Sequence, residues 1–255
     1  MTSQKTKQTN PAPRTLAIDV GGSGIKAIVL DASGDPLCER NRIETPYPCP
    51  PERFLEIVQT LVSEFPAFDR ASIGFPAMVR DGKTLRVQAF GRAIKDGPRD
   101  PELFALWDGF PLQQELAALL GVPALLANDA DVQGCGVVSG VGTEFVMTLG
   151  TGVGTSLFHN GYLLPHMELS HGTFAGESID IQLGNANRKA IGNKRWTKLV
   201  IKAVADFDAK LFPDVIYIGG GNSRLLSDVD LGPLVKIVPN SAGLMGGIRL
   251  WEFAQ

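Results

Sequence analysis

The chain has 255 residues, 44% hydrophobic and 20% charged, with a formal net charge of −3. That length supports one large or two small cores, and a slightly acidic balance without a basic block excludes the electrostatic footprint of a nucleic-acid binder. No apolar run approaches membrane-spanning length, and Cys38, Cys49 and Cys135 have neither an even count nor metal-ligand spacing, so a reduced, cytoplasmic setting is expected.

Residues Met1 to Arg14 are polar, carry Pro11 and Pro13 and lack the apolar centre of a signal peptide, which predicts a disordered tail over 1–14. Next comes Leu16-Ala17-Ile18-Asp19-Val20-Gly21-Gly22-Ser23-Gly24-Ile25-Lys26, followed by a second apolar run, Ala27 to Leu30. Two short apolar runs hinged on glycines predict a β-hairpin. Its turn is chemically loaded, because Gly21, Gly22 and Gly24 let backbone N–H groups converge on an anion. A carboxylate beside that anion is repulsive unless a cation lies between, so Asp19 implies Mg²⁺. Lys26 either steadies phosphate or occupies the solvent face of its strand.

A turn at Asp31 to Asp35 leads to a third strand over Leu37 to Ile43, then an extended connection through Pro46, Pro48, Pro50 and Pro51. From Pro51, the spacing of Phe54, Leu55, Val58, Leu61, Val62 and Phe65 predicts an amphipathic helix. Ala71 to Phe75 reads as a strand, Arg80 to Lys83 as a hairpin turn, and Arg92 to Pro101 as a mobile surface loop. Leu112 to Leu120 predicts a helix stopped by Gly121, and Val122 to Ala127 a strand ending on Asn128-Asp129. The order is that of an α/β unit.

A helix over Asp131 to Val138 precedes the strand Glu144 to Leu149, which runs into Gly150-Thr151-Gly152-Val153-Gly154-Thr155. The strand Ser156 to Phe158 then reaches the turn pair Asn160-Gly161. The second half thus restates the first: strand, glycine-hydroxyl loop, strand. Two such loops facing across a cleft argue for phosphate binding better than either alone. Glu168 to His171 reads as a loop, Trp196 to Leu211 as a long amphipathic helix, and Val215 to Ile218 as a strand entering Gly219-Gly220-Gly221. Ser241 to Phe253 predicts a closing helix.

Together, in this order from about Leu16 to Phe253, the motifs resemble the ROK family of sugar kinases, and more widely the actin, Hsp70 and hexokinase fold. The implied fold is a two-domain α/β (ribonuclease H-like) structure with an interdomain cleft. It would comprise a small domain of 15–127 plus 241–255 and a large domain of 128–240. Asp19 to Lys26 resembles the first phosphate loop, with Ser23 where Thr is usual, and Leu149 to Gly154 the second. The resemblance implies phosphate binding by Gly21, Gly22, Ser23, Gly24, Lys26, Gly150, Thr151 and Gly152. It makes Asn128 and Asp129 the sugar-binding Asn and catalytic Asp, Glu168 and His171 the sugar-gripping pair, and Gly219, Gly220 and Gly221 the turn near a nucleotide. An Asp at a strand end can accept a hydroxyl proton as general base; read locally, Asp129 is instead a helix N-cap.

Within the family the likeness is greatest to polyphosphate glucokinases. It implies transfer of a terminal phosphoryl group from polyphosphate, ATP or both to the 6-hydroxyl of glucose or mannose, with Mg²⁺ and in a homodimer. No cysteine follows His171, so the structural zinc of many family members is not expected. Three departures stand out: Ser170 replaces the glycine before the histidine, Gln88-Ala89-Phe90 replaces an Ala-Asn pair that touches sugar, and Arg92 to Pro101 is unlike the family. Lys189, Lys194, Arg195 and Lys198 form either a polyphosphate track or a solvated helix face. His159 and His166 match nothing and read as surface or turn residues, and Trp107 and Trp196 as packing residues. The rival reading is a non-catalytic sugar sensor of the same fold. A repressor of the family would need a helix-turn-helix ahead of the first loop, for which the stretch before Leu16 is too short.

Overall fold

The computed structural model describes residues 12–239 and 242–253. Most of the expected tail, and Ser241 where the last helix was expected to start, lie outside the described residues. Arg14 is not part of a free tail. Its backbone N–H and guanidinium donate to Asp69 at 2.8 and 3.2 Å.

The expected hairpin forms β1 (Thr15–Gly21) and β2 (Gly24–Leu30), paired antiparallel with Asp19 opposite Lys26. The third strand, β3 (Asn41–Ile43), is shorter than the sequence predicts. The cause is local: the Val29 N–H is taken by Cys38 Sγ at 3.4 Å, and the ladder resumes only at Asn41. α1 (Pro51–Val62) buries Phe54, Ile57, Val58 and Leu61 along one face, and its first proline supplies the φ that a helix start requires. β4 (Arg70–Phe75) is followed by the small hairpin of β5 (Met78–Arg80) and β6 (Lys83–Leu85).

α2 (Pro101–Trp107) is a helix that the loop reading of Arg92 to Pro101 passes over. Its signal was present. Asp100 accepts from the N–H groups of Glu102 and Leu103, and Pro101 occupies the first turn. α3 (Leu112–Leu120) ends at Gly121, whose φ of 68° is the left-handed stop. β7 (Ala124–Asn128) leads directly into α4 (Asp129–Cys135), which starts two residues earlier than expected because Asn128 caps it.

β8 (Thr143–Leu149) and β9 (Val153–His159) form the second hairpin, extended by β10 (Tyr162–Leu163). After a short 3-10 turn over Leu169–His171 come β11 (Thr173–Phe174) and β12 (Glu177–Ser178). α5 (Ile179–Leu183), α6 (Asn185–Ile191) and α7 (Asn193–Leu211) follow, then β13 (Val215–Gly219), β14 (Val235–Ile237) and α8 (Ala242–Phe253).

The two five-stranded sheets have the same plan, β3-β2-β1-β4-β7 and β10-β9-β8-β13-β14. In each, an antiparallel hairpin is joined by two parallel strands. The first core is centred on Phe54, Phe75, Phe90 and Trp107, with ring centroids 5.1 to 5.9 Å apart. Such rings each bury enough apolar surface to contribute roughly 2–3 kcal/mol. The second core packs α7, through Trp196, Val200, Val204 and Phe207, against β8 and β13. Both tryptophans are packing residues whose N–H groups find carbonyls, Trp107 that of Cys49 and Trp196 that of Leu183. α4 and α8 pack together where the sheets meet, and α8 also contacts β1 and β4. Gly246 makes that crossing possible, since a Cβ there would overlap the Val132 carbonyl.

Candidate active site

The equivalent tips of the two hairpins, with the start of α4 and the turn after β13, line one cleft of about 720 Å³, within the usual range of a ligand site. Each tip is built the same way. At the first, Thr45 Oγ1 donates to the Gly21 carbonyl at 2.6 Å, Tyr47 OH to that of Gly22 at 2.9 Å, and Arg42 Nη2 to that of Ser23 at 2.8 Å. At the second, the Asn185 N–H holds the Gly150 and Thr151 carbonyls at 3.2 and 3.1 Å, and Asn222 Nδ2 reaches Gly150 O at 3.2 Å. With the carbonyls held from outside, by side chains at the first tip and by the Asn185 N–H and the Asn222 side chain at the second, the N–H groups of Gly22, Ser23, Thr151 and Gly152 make no hydrogen bond among the described residues. This is an anion cradle on each rim. None of Thr45, Tyr47, Arg42, Asn185 or Asn222 was marked by the sequence, because their role depends on distant segments meeting.

Glycine is required at Gly220, while at Gly24 a side chain would displace the Arg42 guanidinium. A Cβ on Gly24 would lie 2.6 Å from Arg42 Nε, and one on Gly220, whose φ is +84°, would meet the backbone of Leu149. Gly220 and Gly221 line the cleft, whereas Gly219 lies behind it, on a smaller cavity bounded by Val238.

The cleft floor is Asn128-Asp129. Asn128 Oδ1 accepts from the Ala130 N–H at 2.8 Å and its Nδ2 donates to the Ala77 carbonyl at 3.0 Å, leaving one N–H and one lone pair for a ligand. Asn128, rather than Asp129, is the N-cap of α4. Asp129 is half-buried on that floor; lost hydration first, then the nearby Asp19, pushes its carboxylate up to about 6. That value leaves it ionised, and still basic, near neutral pH.

On one wall, Glu168 Oε2 lies 3.9 Å from His171 Nε2. His171 is exposed, and its backbone is ordinary 3-10 conformation, so Ser170 before it needs no glycine. Ser170 Oγ is nevertheless buried without a partner among the described residues. Phe90 turns into the aromatic core, so the position where the resembled group carries an amide presents nothing to the cleft; Gln88, two residues earlier, lines it instead.

One expectation is overturned. His166 is no surface residue: only 5% exposed, it lies with Nδ1 3.0 Å from Asp131 Oδ1 and Nε2 3.5 Å from Glu168 Oε1. Burial draws its pKa down, but hydrogen bonding to Asp131 and the charge of Glu168 outweigh this and hold it at about 9. His166 in turn holds Glu168 below the usual carboxylate range. His159, by contrast, is exposed and bonds Thr143 Oγ1 at 2.9 Å.

Asp19 is not on the cleft lining. Its Oδ2 pairs with Lys26 Nζ at 3.0 Å, and its side chain is 58% exposed. Lys26 itself lines the cleft and is half-buried. Among the described residues no cluster of three or more His, Cys, Asp or Glu side chains converges to hold a metal ion. A single carboxylate suits Mg²⁺ that arrives with phosphates and keeps its waters, rather than a resident metal. The donor set at Asp19 therefore fits donor-borne Mg²⁺, with Lys26 as the cation it would replace. Lys189, Lys194, Arg195 and Lys198 are exposed and none lines the cleft, whereas Arg42 does, and Lys95 Nζ lies 3.1 Å from Ser23 Oγ.

Two sheets of identical plan, with hairpin tips facing across a cleft, define the actin/Hsp70/hexokinase-like (ribonuclease H-like) fold. More specifically, the chain belongs to the ROK family, whose family profile matches residues 15–177. It is 26% identical over 249 residues to polyphosphate glucokinase from Mycobacterium tuberculosis, covering 91% of this chain and 88% of the relative. The crystal structure of inorganic polyphosphate/ATP-glucomannokinase from Arthrobacter sp. strain KM superimposes with a TM-score of 0.74 at 26% identity, over 94% of this chain and 98% of that one. A ROK family glucokinase from Streptomyces griseus, in complex with glucose and AMPPNP, shares the fold at a TM-score of 0.66 and 18% identity, over 93% and 98% of the two chains.

Proposed function

We propose that the chain transfers the terminal phosphoryl group of polyphosphate, ATP or both to the 6-hydroxyl of glucose or mannose. It is a glucokinase-like sugar kinase. The observation that carries this reading is Asp129 on the floor of a cleft rimmed by two N–H cradles, beside Asn128 and Glu168. Asn128 and Glu168, with His171, hold the sugar hydroxyls and aim the 6-hydroxyl at the donor. Asp129 takes the hydroxyl proton as the oxygen forms its bond to the terminal phosphorus and the bond to the departing phosphate oxygen breaks. The N–H groups of Gly22, Ser23, Thr151 and Gly152 receive the charge spread over the transferred group's oxygens. Mg²⁺, held at Asp19 with the donor phosphates, would supply charge neutralisation. Arg42 and Lys95, which have no acidic partner among the described residues, offer the first rim to further phosphates.

The working unit is the small domain of 15–127 plus 241–255 closing on 128–240, in a homodimer. Among the described residues no helix is long and apolar enough to cross a membrane, in keeping with a cytoplasmic enzyme. The test is a coupled assay crossing glucose and mannose with ATP and polyphosphate. Hexose 6-phosphate formation with at least one donor is expected. Calorimetric binding of a hexose with no transfer from either donor would leave the sensor reading in its place.

A further inference from the structure

Among the described residues, His166 is the one buried titratable side chain lining the cleft with no part in the transfer just described. It sits between α4 and the turn carrying Glu168, and Arg80 of β5 anchors it by donating from Nη2 to its backbone carbonyl at 2.8 Å. The titratable and charged groups around it are Asp129 and Asp131 on α4, Glu168 and His171 on the turn, and Arg80. Nδ1 is satisfied by Asp131 at 3.0 Å. Nε2 is buried with no well-formed hydrogen bond, and its nearest acceptor is Glu168 Oε1 at 3.5 Å.

We infer that His166 is a positioning residue for sugar recognition: bridging from Asp131, it holds the Glu168 carboxylate in the orientation that receives the hexose. The inference rests on the kinase reading of Glu168. A neutral imidazole has one N–H and serves one carboxylate, whereas the imidazolium serves both, so the bridging form is the charged one. Asp131 fixes the ring, and closing the remaining 3.5 Å gap satisfies Nε2 when a sugar hydroxyl draws Glu168 into place. The ring's pKa near 9 keeps this bridge intact at neutral pH. Its stabilisation is complete below the unfolded histidine range and is lost as pH rises through about 9.

The test is glucose binding by calorimetry without donor, from pH 7.5 to 10, together with steady-state kinetics and nitrogen NMR of the histidine rings. The wild type should lose roughly tenfold in affinity between pH 8 and 10, the span in which one pKa unit is a factor of ten. His166→Asn should raise the glucose KM by roughly tenfold or more at pH 7.5, as expected for a hydrogen bond to a charged group, with kcat changed less. It should also lose the alkaline dependence. NMR should show both His166 nitrogens protonated at pH 7.5, a readout that does not require a folded variant. A singly protonated ring, or glucose binding by His166→Asn that matches the wild type, overturns the proposal alone. A wild type that binds no hexose overturns the kinase reading, and this role with it.

Discussion

Replacing Asp129 by Asn separates the chemistry of the cleft from its stability. The carboxylate is pushed from 3.8 to about 6 by burial and by Asp19, a shift of roughly 2 units, or about 3 kcal/mol at 1.36 kcal/mol per unit. The sign follows from linkage. Between about pH 4 and 6 the unfolded chain has released this proton and the folded chain still binds it, so stability falls as pH rises through that window. Above it, the whole cost is present. Asn keeps the shape and can still accept from the Ala130 N–H, as Asp129 Oδ1 does at 3.0 Å, but carries no charge. Asp129→Asn should therefore be more stable than the wild type at pH 7.5, by up to about 3 kcal/mol, raising Tm by several degrees, with the gain vanishing near pH 3.5. The same substitution removes the general base and should lower phosphoryl transfer by roughly 10²–10⁴-fold, leaving hexose affinity within an order of magnitude. Differential scanning calorimetry at the two pH values and a coupled assay read the two effects. Equal stability gains at both pH values would refute the electrostatic reasoning; unchanged turnover would refute the base assignment. The wild-type rate should also fall on the acid side with an apparent pKa near the value of about 6 held by Asp129.

Further outcomes follow from the same geometry. Asp19→Asn should lose activity by roughly 10- to 100-fold with the fold retained, and wild-type turnover should stop in EDTA; turnover that persists at its Mg²⁺ level would remove the metal role. Glu168→Gln should weaken hexose binding much more than donor binding, and matching KM values for sugar would take Glu168 out of the site. Ser170→Ala, which replaces a buried hydroxyl without a partner among the described residues, should be neutral or stabilising by about 1 kcal/mol in urea unfolding; a loss of more than that would mean the hydroxyl has a partner in solution.

The sequence by itself determined the elements that depend on local chemistry. Both glycine-hinged hairpins, the proline start of α1, the Gly121 stop of α3 and the amphipathic face of α7 are each written within a dozen or so neighbouring residues. The order of motifs also carried the ROK family and the placing of Asn128, Asp129, Glu168 and both loops around one cleft. What only the tertiary structure decided were the pairings between segments far apart in the chain. No local pattern announces that Thr45, Tyr47 and Arg42 hold the carbonyls of the first loop, because a side chain's partner across twenty residues is fixed by packing. Gln88 reaches the cleft and Phe90 does not because the aromatic core claims Phe90. His166 read as a surface or turn residue because it matches no motif and its neighbours Leu164, Pro165 and Met167 offer an imidazole no partner. It is buried because α4 brings Asp131, 35 residues away, to within 3.0 Å of the ring. A buried imidazole is tolerated only where such partners converge, and that convergence is a property of the fold.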